Sequence, residues 1–420
     1  MRVLIVNTSE HTGGAAIAAE RLTEALRTSG AEAEMLVMHP CSQKPYVLTA
    51  GTPLRRRAAF LLERLTIWLA NRLSRKNLFR VSIANTGQDI TRLPAFREAD
   101  VIHLHWINQG MLSLRGLRRI LASGKPVVWT LHDMWPVTAV CHHAQSCTRY
   151  QRKCHDCPLL IRPGRHDLST RVFRRKQQIY DHANLTFVAC SQWLENLARQ
   201  SALTTGHTVT NIPNPLNTDL FHPMDKGPLR KALGLPTDKR LILFSSVKTT
   251  DPQKGMSYLI EACRLLNDKR PKLRERLAVV VAGKASEELS SQFPFDVFSL
   301  GYISHDEQMA RVYNAVDLFV TPSLMENLPN TIAEAMACGI PCVGFRTGGI
   351  PQMIDHERNG YVADYCSAAD LAEGICRSLD ESRYDSLSRE ARCKALSAYS
   401  RQAVATRYIQ LYQQIISQND

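Results

Sequence analysis

The chain has 420 residues, 44% apolar and 22% charged, an ordinary globular composition that excludes a fibrous or largely disordered protein. At roughly 100–200 residues per domain it predicts two or three domains. Its 52 Lys and Arg against 39 Asp and Glu leave a net charge of +13, which suits an anionic partner such as nucleic acid, a lipid surface or a phosphorylated substrate. No apolar run approaches the roughly 18 residues that cross a bilayer. The opening Met1-Arg2-Val3-Leu4-Ile5-Val6-Asn7 is too short in its apolar core for a signal peptide. A cytoplasmic protein is therefore expected, its twelve cysteines mostly reduced thiols.

In chain order, a strand at 3–7 leads through a Gly-containing loop, 10–14, to an Ala-rich helix at 15–29 that Gly30 closes. Strands follow at 33–39, 101–105 and 127–131. The pattern pauses over a Cys-, His- and Pro-rich insertion, 136–163, and resumes with a helix, a strand at 185–190 and a helix from Gln192. Breakers at 211–216 mark a linker. A second series has strands at 241–247, 277–282, 297–300, 318–321 and 341–345, with helices at 255–267, 306–315 and 330–338. A helical pattern at 395–416 ends the chain. This alternation predicts an α/β protein of two doubly wound halves, with a ligand in the cleft at the carboxyl ends of their strands.

One string carries most of the chemical information: Pro322-Ser-Leu-Met-Glu326-Asn-Leu328-Pro329-Asn330-Thr331-Ile-Ala-Glu334-Ala-Met-Ala-Cys-Gly339. Glu326 falls in the loop after a strand, and Glu334 about one turn into the next helix. Leu328, Pro329, Asn330 and Thr331 occupy the helix N-terminus, where backbone N–H groups and the helix dipole favour phosphate. A carboxylate on either side of such a helix end can hold a hydroxyl-bearing sugar at each side of a diphosphate. Gly13 and Gly14 open another helix, either as a loop facing an anion or sugar, or as a tight turn.

The Glu326–Glu334 string resembles the E-x7-E motif of retaining glycosyltransferases with the two-Rossmann (GT-B) fold, specifically glycosyltransferase family 4, of the bacterial capsule or exopolysaccharide type. The likeness extends to the Gly13-Gly14 loop, His132, Asp251-Pro-Gln-Lys254-Gly255 and the segment ending Gly348-Gly349-Ile350-Pro351. The resemblance implies two Rossmann-like domains facing a cleft: residues 1–212 on the acceptor side, 213–395 binding the nucleotide sugar, and a helix over 396–420 packing back toward the first domain. It implies that Glu334 binds the donor ribose, Glu326 the transferred sugar and Lys254 the diphosphate. Developing charge on the departing phosphate calls for such a fixed cation. Lys248 stands where the family usually has arginine, keeping the charge without the bidentate fork; it is also readable as a solvated loop lysine. Gly301, Tyr302 and Ile303 correspond to the loop that receives the base. His132 is implied beside the donor sugar and the reacting carbon. Asp133 is placed to orient that ring or to bind acceptor, and His103 and His105 to border the acceptor pocket or simply to pack. Catalysis of this type is usually drawn as front-face attack, with no metal or cofactor required.

Two features lie outside that scheme. Cys141, Cys147, Cys154 and Cys157 could satisfy a structural tetrahedral zinc; a redox-labile cluster and plain packing are the other readings. Residues 55–80 hold eight Lys or Arg and one acid, Glu63, with Ala58, Leu61, Leu62, Leu65, Trp68, Leu69 and Leu73 at helical spacing. This segment could lie on an anionic membrane, at the inner face of the plasma membrane, or be an ordinary surface helix with its stripe buried; Arg72 interrupts the apolar face. The combined expectation is a sugar transfer from a nucleotide diphosphate-sugar donor to a glycan, lipid-linked in the simplest reading, in cell-surface polysaccharide or lipopolysaccharide synthesis. An epimerase-like enzyme of the same fold is the alternative. A basic nucleic-acid-binding protein ranks last, because it leaves the Glu326–Glu334 string unexplained, and no nucleic acid is expected.

Overall fold

Strand β1 (Arg2–Val6) sends Leu4 and Val6 to one face of its sheet and Val3 and Ile5 to the other, and all four are buried. That two-residue period with both faces covered is the pattern of a parallel strand between helical layers. The computed structural model describes residues 1–285 and 291–418. The chain divides into two units: Met1–Pro215 joined by the C-terminal stretch from Val404, and Leu216–Ala403.

In the first unit β1 is followed by β2 (Glu32–Val37), β3 (Val47–Thr49), β4 (Val101–Leu104), β5 (Val127–Leu131), β6 (Leu185–Ala189) and β7 (Thr208–Asn211). They form a parallel sheet in the order β3-β2-β1-β4-β5-β6-β7. One face packs on Leu104, Trp129 and Phe187; the other packs on Val128 and Val188 together with Val404, Tyr408 and Tyr412 of the C-terminal helix. The second unit adds β8 (Arg240–Lys248), β9 (Leu277–Lys284), β10 (Asp296–Gly301), β11 (Leu318–Thr321), β12 (Cys342–Phe345) and β13 (Gly360–Ala363), ordered β10-β9-β8-β11-β12-β13 and again parallel. Its core places Leu259 and Cys263 of helix Met256–Lys269 and Leu371 and Ile375 of helix Ala368–Ser378 against Phe244, Val281 and Val343. Both sheets are doubly wound α/β, and each unit taken by itself is Rossmann-like.

Three strands escaped the sequence reading, β3, β7 and β13, and each lies at a sheet edge. An edge strand is short and needs fewer apolar residues to hold its place, so its periodicity is weak. The terminal helix also needs correction. The pattern at 395–416 is not one helix: a π-helical turn, Ala395–Tyr399, ends at Ser400, and helix Arg401–Ser417 begins afresh. The break is held by Leu216, whose N–H donates to Tyr399 O at 2.7 Å and whose carbonyl accepts from Arg401 N at 3.0 Å. A backbone crossing at that point takes the hydrogen bonds a continuous helix would use.

Candidate active site

In the second unit the switch point of the sheet falls between β8 and β11, and open parallel sheets bind ligands outside the carboxyl end of such a point. Lys254 stands in the turn after β8, and Glu326 in the loop after β11. Their side chains meet there, Nζ to Oε1 at 2.5 Å. Backbone contacts tie these two loops to each other and to the loop after β12. Leu324 N donates to Gln253 O at 2.8 Å, and Gly349 N donates to Glu326 O at 3.2 Å. Gly255 approaches so closely that a Cβ there would lie 1.8 Å from Pro322 O. Gly348 (φ +53°) is tighter still, its Cβ position being 1.6 Å from Glu326 O. No side chain larger than hydrogen fits at either place, so these glycines set where Glu326 sits.

Helix Asn330–Ala337 follows, with Pro329 at its cap and no side-chain cap bond. Leu328 and Pro329 are buried, while Asn330 and Thr331 are half-buried. Glu334 is buried and accepts from the buried Tyr313 hydroxyl, Oε2 at 3.0 Å. Lys248 is exposed at the end of β8, and Gly301 ends β10 with Tyr302 and Ile303 following it, Lys284 Nζ lying 5.2 Å from the centre of the Tyr302 ring. Lys248, Lys254, the Gly301–Ile303 segment, Glu326 and Glu334 thus lie on the carboxyl side of one sheet or on the helix after β11, whereas Gly13, Gly14 and His132 belong to the first unit. Tyr313, which holds Glu334, went unread: as an apolar position of a helix its hydroxyl gave no signal.

In the first unit, His132 ends β5 half-buried. Its ring lies 5.1 Å from that of His105 at 27°, with His105 Nδ1 and His132 Nε2 2.8 Å apart. Its Nδ1 is 3.6 Å from Cys190 Sγ, which in turn donates to Asn214 Oδ1 at 3.1 Å. One assignment of protons satisfies all three contacts: His105 donates to His132, His132 donates to the Cys190 sulfur, and the thiol donates to Asn214. Burial lowers His132 to about 4, with Asp133 partly opposing, so the ring is neutral at pH 7.

Asp133 does not orient His132. Its carboxylate is taken by His142 Nδ1 at 2.6 Å, Trp106 Nε1 at 2.9 Å and Trp135 N at 2.8 Å. Burial would raise its pKa, but His142 and these donors outweigh it and hold the group at about 2. His103 is also corrected. It is fully buried between Tyr412 OH (2.6 Å) and Thr130 Oγ1 (2.7 Å), a packed core group and not the rim of a pocket. His105 is buried and touches His132 through its Nδ1. Gly13 caps helix Gly14–Thr28, and both glycines are exposed. Nearby Glu10 is buried instead, its carboxylate bonded by Cys41 N, Ser42 N and Ser42 Oγ.

The four cysteines of the insertion line one small cavity of about 40 Å³. Among the described residues, however, no three His, Cys, Asp or Glu side chains are drawn together as metal ligands would be. Cys154 and Cys157 pack in the apolar core, where burial pushes their thiols up to about 12 and about 11, and a neutral thiol there behaves as a small hydrophobe. The insertion reaches the His132 strand end by another route: His142 binds Asp133, and its Nε2 lies 3.0 Å from Ser82 Oγ.

With these features in place, comparison defines the class. The family model described as Glycosyltransferase Family 4 matches residues 12–220, and that described as Glycosyl transferases group 1 matches 225–399. The protein has the GT-B fold and carries both glycosyltransferase domains. Among curated relatives, a D-inositol 3-phosphate glycosyltransferase of Corynebacterium jeikeium (strain K411) is 28% identical over 290 residues, 66% of this chain. The match spans 63% of that relative's own length, less than two thirds. Among solved structures, the sucrose-phosphate synthase of Thermosynechococcus elongatus has a TM-score of 0.70 at 20% identity, covering all of both chains. Anabaena Alr3699/HepE in complex with UDP-glucose has a TM-score of 0.63 at 17% identity, over 99% of this chain and 100% of that one. At such identities these two structures speak to the fold alone.

Proposed function

We propose that the protein is a retaining glycosyltransferase. In this reading it moves a sugar from a nucleotide diphosphate donor to a lipid-linked glycan at the cytoplasmic face of a membrane, in cell-surface polysaccharide or lipopolysaccharide synthesis. The observation that carries it is the Lys254–Glu326 pair at the switch point of the second sheet. A donor diphosphate can take the Lys254 ammonium, which releases Glu326 to accept hydrogen bonds from hydroxyls of the sugar. The start of helix Asn330–Ala337 adds N–H groups and the positive end of its dipole. Glu334, held by Tyr313, binds the ribose. In the transfer the bond from C1 to the phosphate oxygen breaks and the bond from C1 to the acceptor oxygen forms. The acceptor proton passes to the departing phosphate, and Lys254 stabilises its charge. No metal is assigned a step. The neutral His132 belongs to the acceptor-side unit and serves there as a hydrogen-bonding group. The UDP-glucose complex of HepE favours a nucleotide-sugar donor and makes uridine the first base to try.

Thermal shift against uridine, guanosine and adenosine diphosphates and their sugar conjugates tests the reading. A ligand at about 100 times its Kd stabilises the fold by about 2.7 kcal/mol. Lys254→Ala should lower kcat by about 10²–10³ while leaving the melting temperature almost unchanged, because a partly exposed ion pair contributes only about 0–1 kcal/mol. No shift with any nucleotide on folded protein would overturn it.

A further inference from the structure

Helix Pro53–Ala70 is built inside out. The side it turns to the protein carries Ala59, Glu63, Arg64 and Ile67. The side it turns to solvent carries Leu54 (79% exposed), Leu61 (53%), Leu62, Leu65 and Leu69 (56%), spaced along one face, and Leu73 (57%) and Phe79 (64%) follow beyond its end. A surface helix ordinarily has the reverse arrangement.

The phase of the helix is fixed from within. Glu63 Oε1 accepts from Ile83 N and Ala84 N, both at 2.9 Å, and Arg64 Nη1 donates to Leu78 O at 2.6 Å. Thr86 Oγ1 donates to Ala59 O at 2.7 Å. Rotation that buried the leucines would break all of these bonds and leave a buried carboxylate unpaired. Arg72, which interrupted the stripe on paper, is not on the helix at all: the helix ends at Ala70, and Arg72 and Leu73 take positive φ of 53° and 60°. Around the leucines stand Arg55, Arg57, Arg72, Arg75, Lys76 and Arg80, all exposed and, among the described residues, paired with no carboxylate. The one acid of the segment, Glu63, is buried.

We infer that this face docks on an anionic lipid bilayer, the leucines and Phe79 entering the acyl boundary and the six cations lying at headgroup level. Charge selects this occupant over a second copy of the chain, which would set two cationic faces against each other. No helix among the described residues is long and apolar enough to cross a membrane, so the contact is interfacial. The inference deepens the lipid-borne acceptor of the proposed function, but its test needs neither donor nor turnover, so the two can fail separately.

Co-sedimentation of the full chain with vesicles of phosphatidylcholine alone, and with about 30% phosphatidylglycerol, provides that test. Partition to the anionic vesicles should be at least about tenfold stronger and should weaken as salt rises. Leu61→Ser/Leu65→Ser/Leu69→Ser should lower it at least about tenfold with an unchanged circular dichroism spectrum. Arg72→Glu/Arg75→Glu, lying outside the helix, should do the same if the leucine variant does not fold. Equal partition to both vesicle types, none to either, or no response to a folded variant would overturn the inference. So would a reversible dimer in ultracentrifugation that the leucine changes abolish.

Discussion

The first strand of each unit stands at the switch point of its own sheet, yet the two points are closed by different bonds. In the first unit Thr8 N donates to Trp106 O at 2.8 Å, Asn7 Oδ1 accepts from Trp106 N at 2.8 Å, and Thr8 Oγ1 reaches Asn108 O at 2.8 Å. Backbone groups are satisfied there, and a ligand would have to break obligatory bonds to enter. In the second unit the closure is the Lys254–Glu326 ion pair, on a frame of backbone contacts that a ligand need not disturb. A phosphate and a hydroxyl offer the same two groups equivalent partners. A shared topology thus offers two crevices that differ in side-chain chemistry, and on the proposed function that difference is what lets the second exchange its contacts for a donor.

The largest test of this contrast concerns the frame itself. Gly348→Ala combines a left-handed residue with a collision against Glu326 O, and should cost on the order of 3–5 kcal/mol in urea denaturation and abolish donor binding. Gly14→Ala, where a Cβ meets nothing within 4 Å, should change stability by about 0.5–1 kcal/mol at most. If the two substitutions prove equal, the frame is not what distinguishes the units.

A smaller effect sharpens the first unit. Asp133 is held at about 2 against its ordinary 3.8. Its stabilising contribution is therefore complete above the ordinary value and lost as pH falls through the folded value. Denaturation between pH 5 and pH 2 should show a loss of about 2 kcal/mol that Asp133→Asn flattens. A slope unchanged in the variant would place the titration elsewhere.

Tyr412→Phe is the smallest step. It removes the hydroxyl partner of buried His103 and should cost about 1–2 kcal/mol, read as a lowered melting temperature with donor binding intact. A fall in donor affinity would show that the unit carrying β1 shapes the donor site after all.

Much of this was legible beforehand for definite reasons. The doubly wound halves followed from apolar runs such as Val127–Leu131, whose burial on both faces leaves a continuous signal. The placement of Glu326 and Glu334 about one helix start was legible because they are close in sequence, so local geometry ties them together. His142 on Asp133 and Cys190 on His132 were not, since they join residues 9 and 58 positions apart through folds of the chain that carry no local pattern. Tyr412, 309 positions from His103, is the extreme case.

By itself, then, the sequence determined the strand and helix alternation, the parallel sheets and the loop-to-helix setting of the Glu326–Glu334 string, because periodicity and short-range spacing act through neighbours along the chain. Only the tertiary structure decided that Asp133 serves His142, that His103 is core, and that four cysteines line one cavity. It alone decided that the leucines of helix Pro53–Ala70 face outward. A helical wheel fixes which residues share a face, but the side turned to solvent is chosen by long-range bonds, here those of Glu63 and Arg64 to the backbone at 78–84.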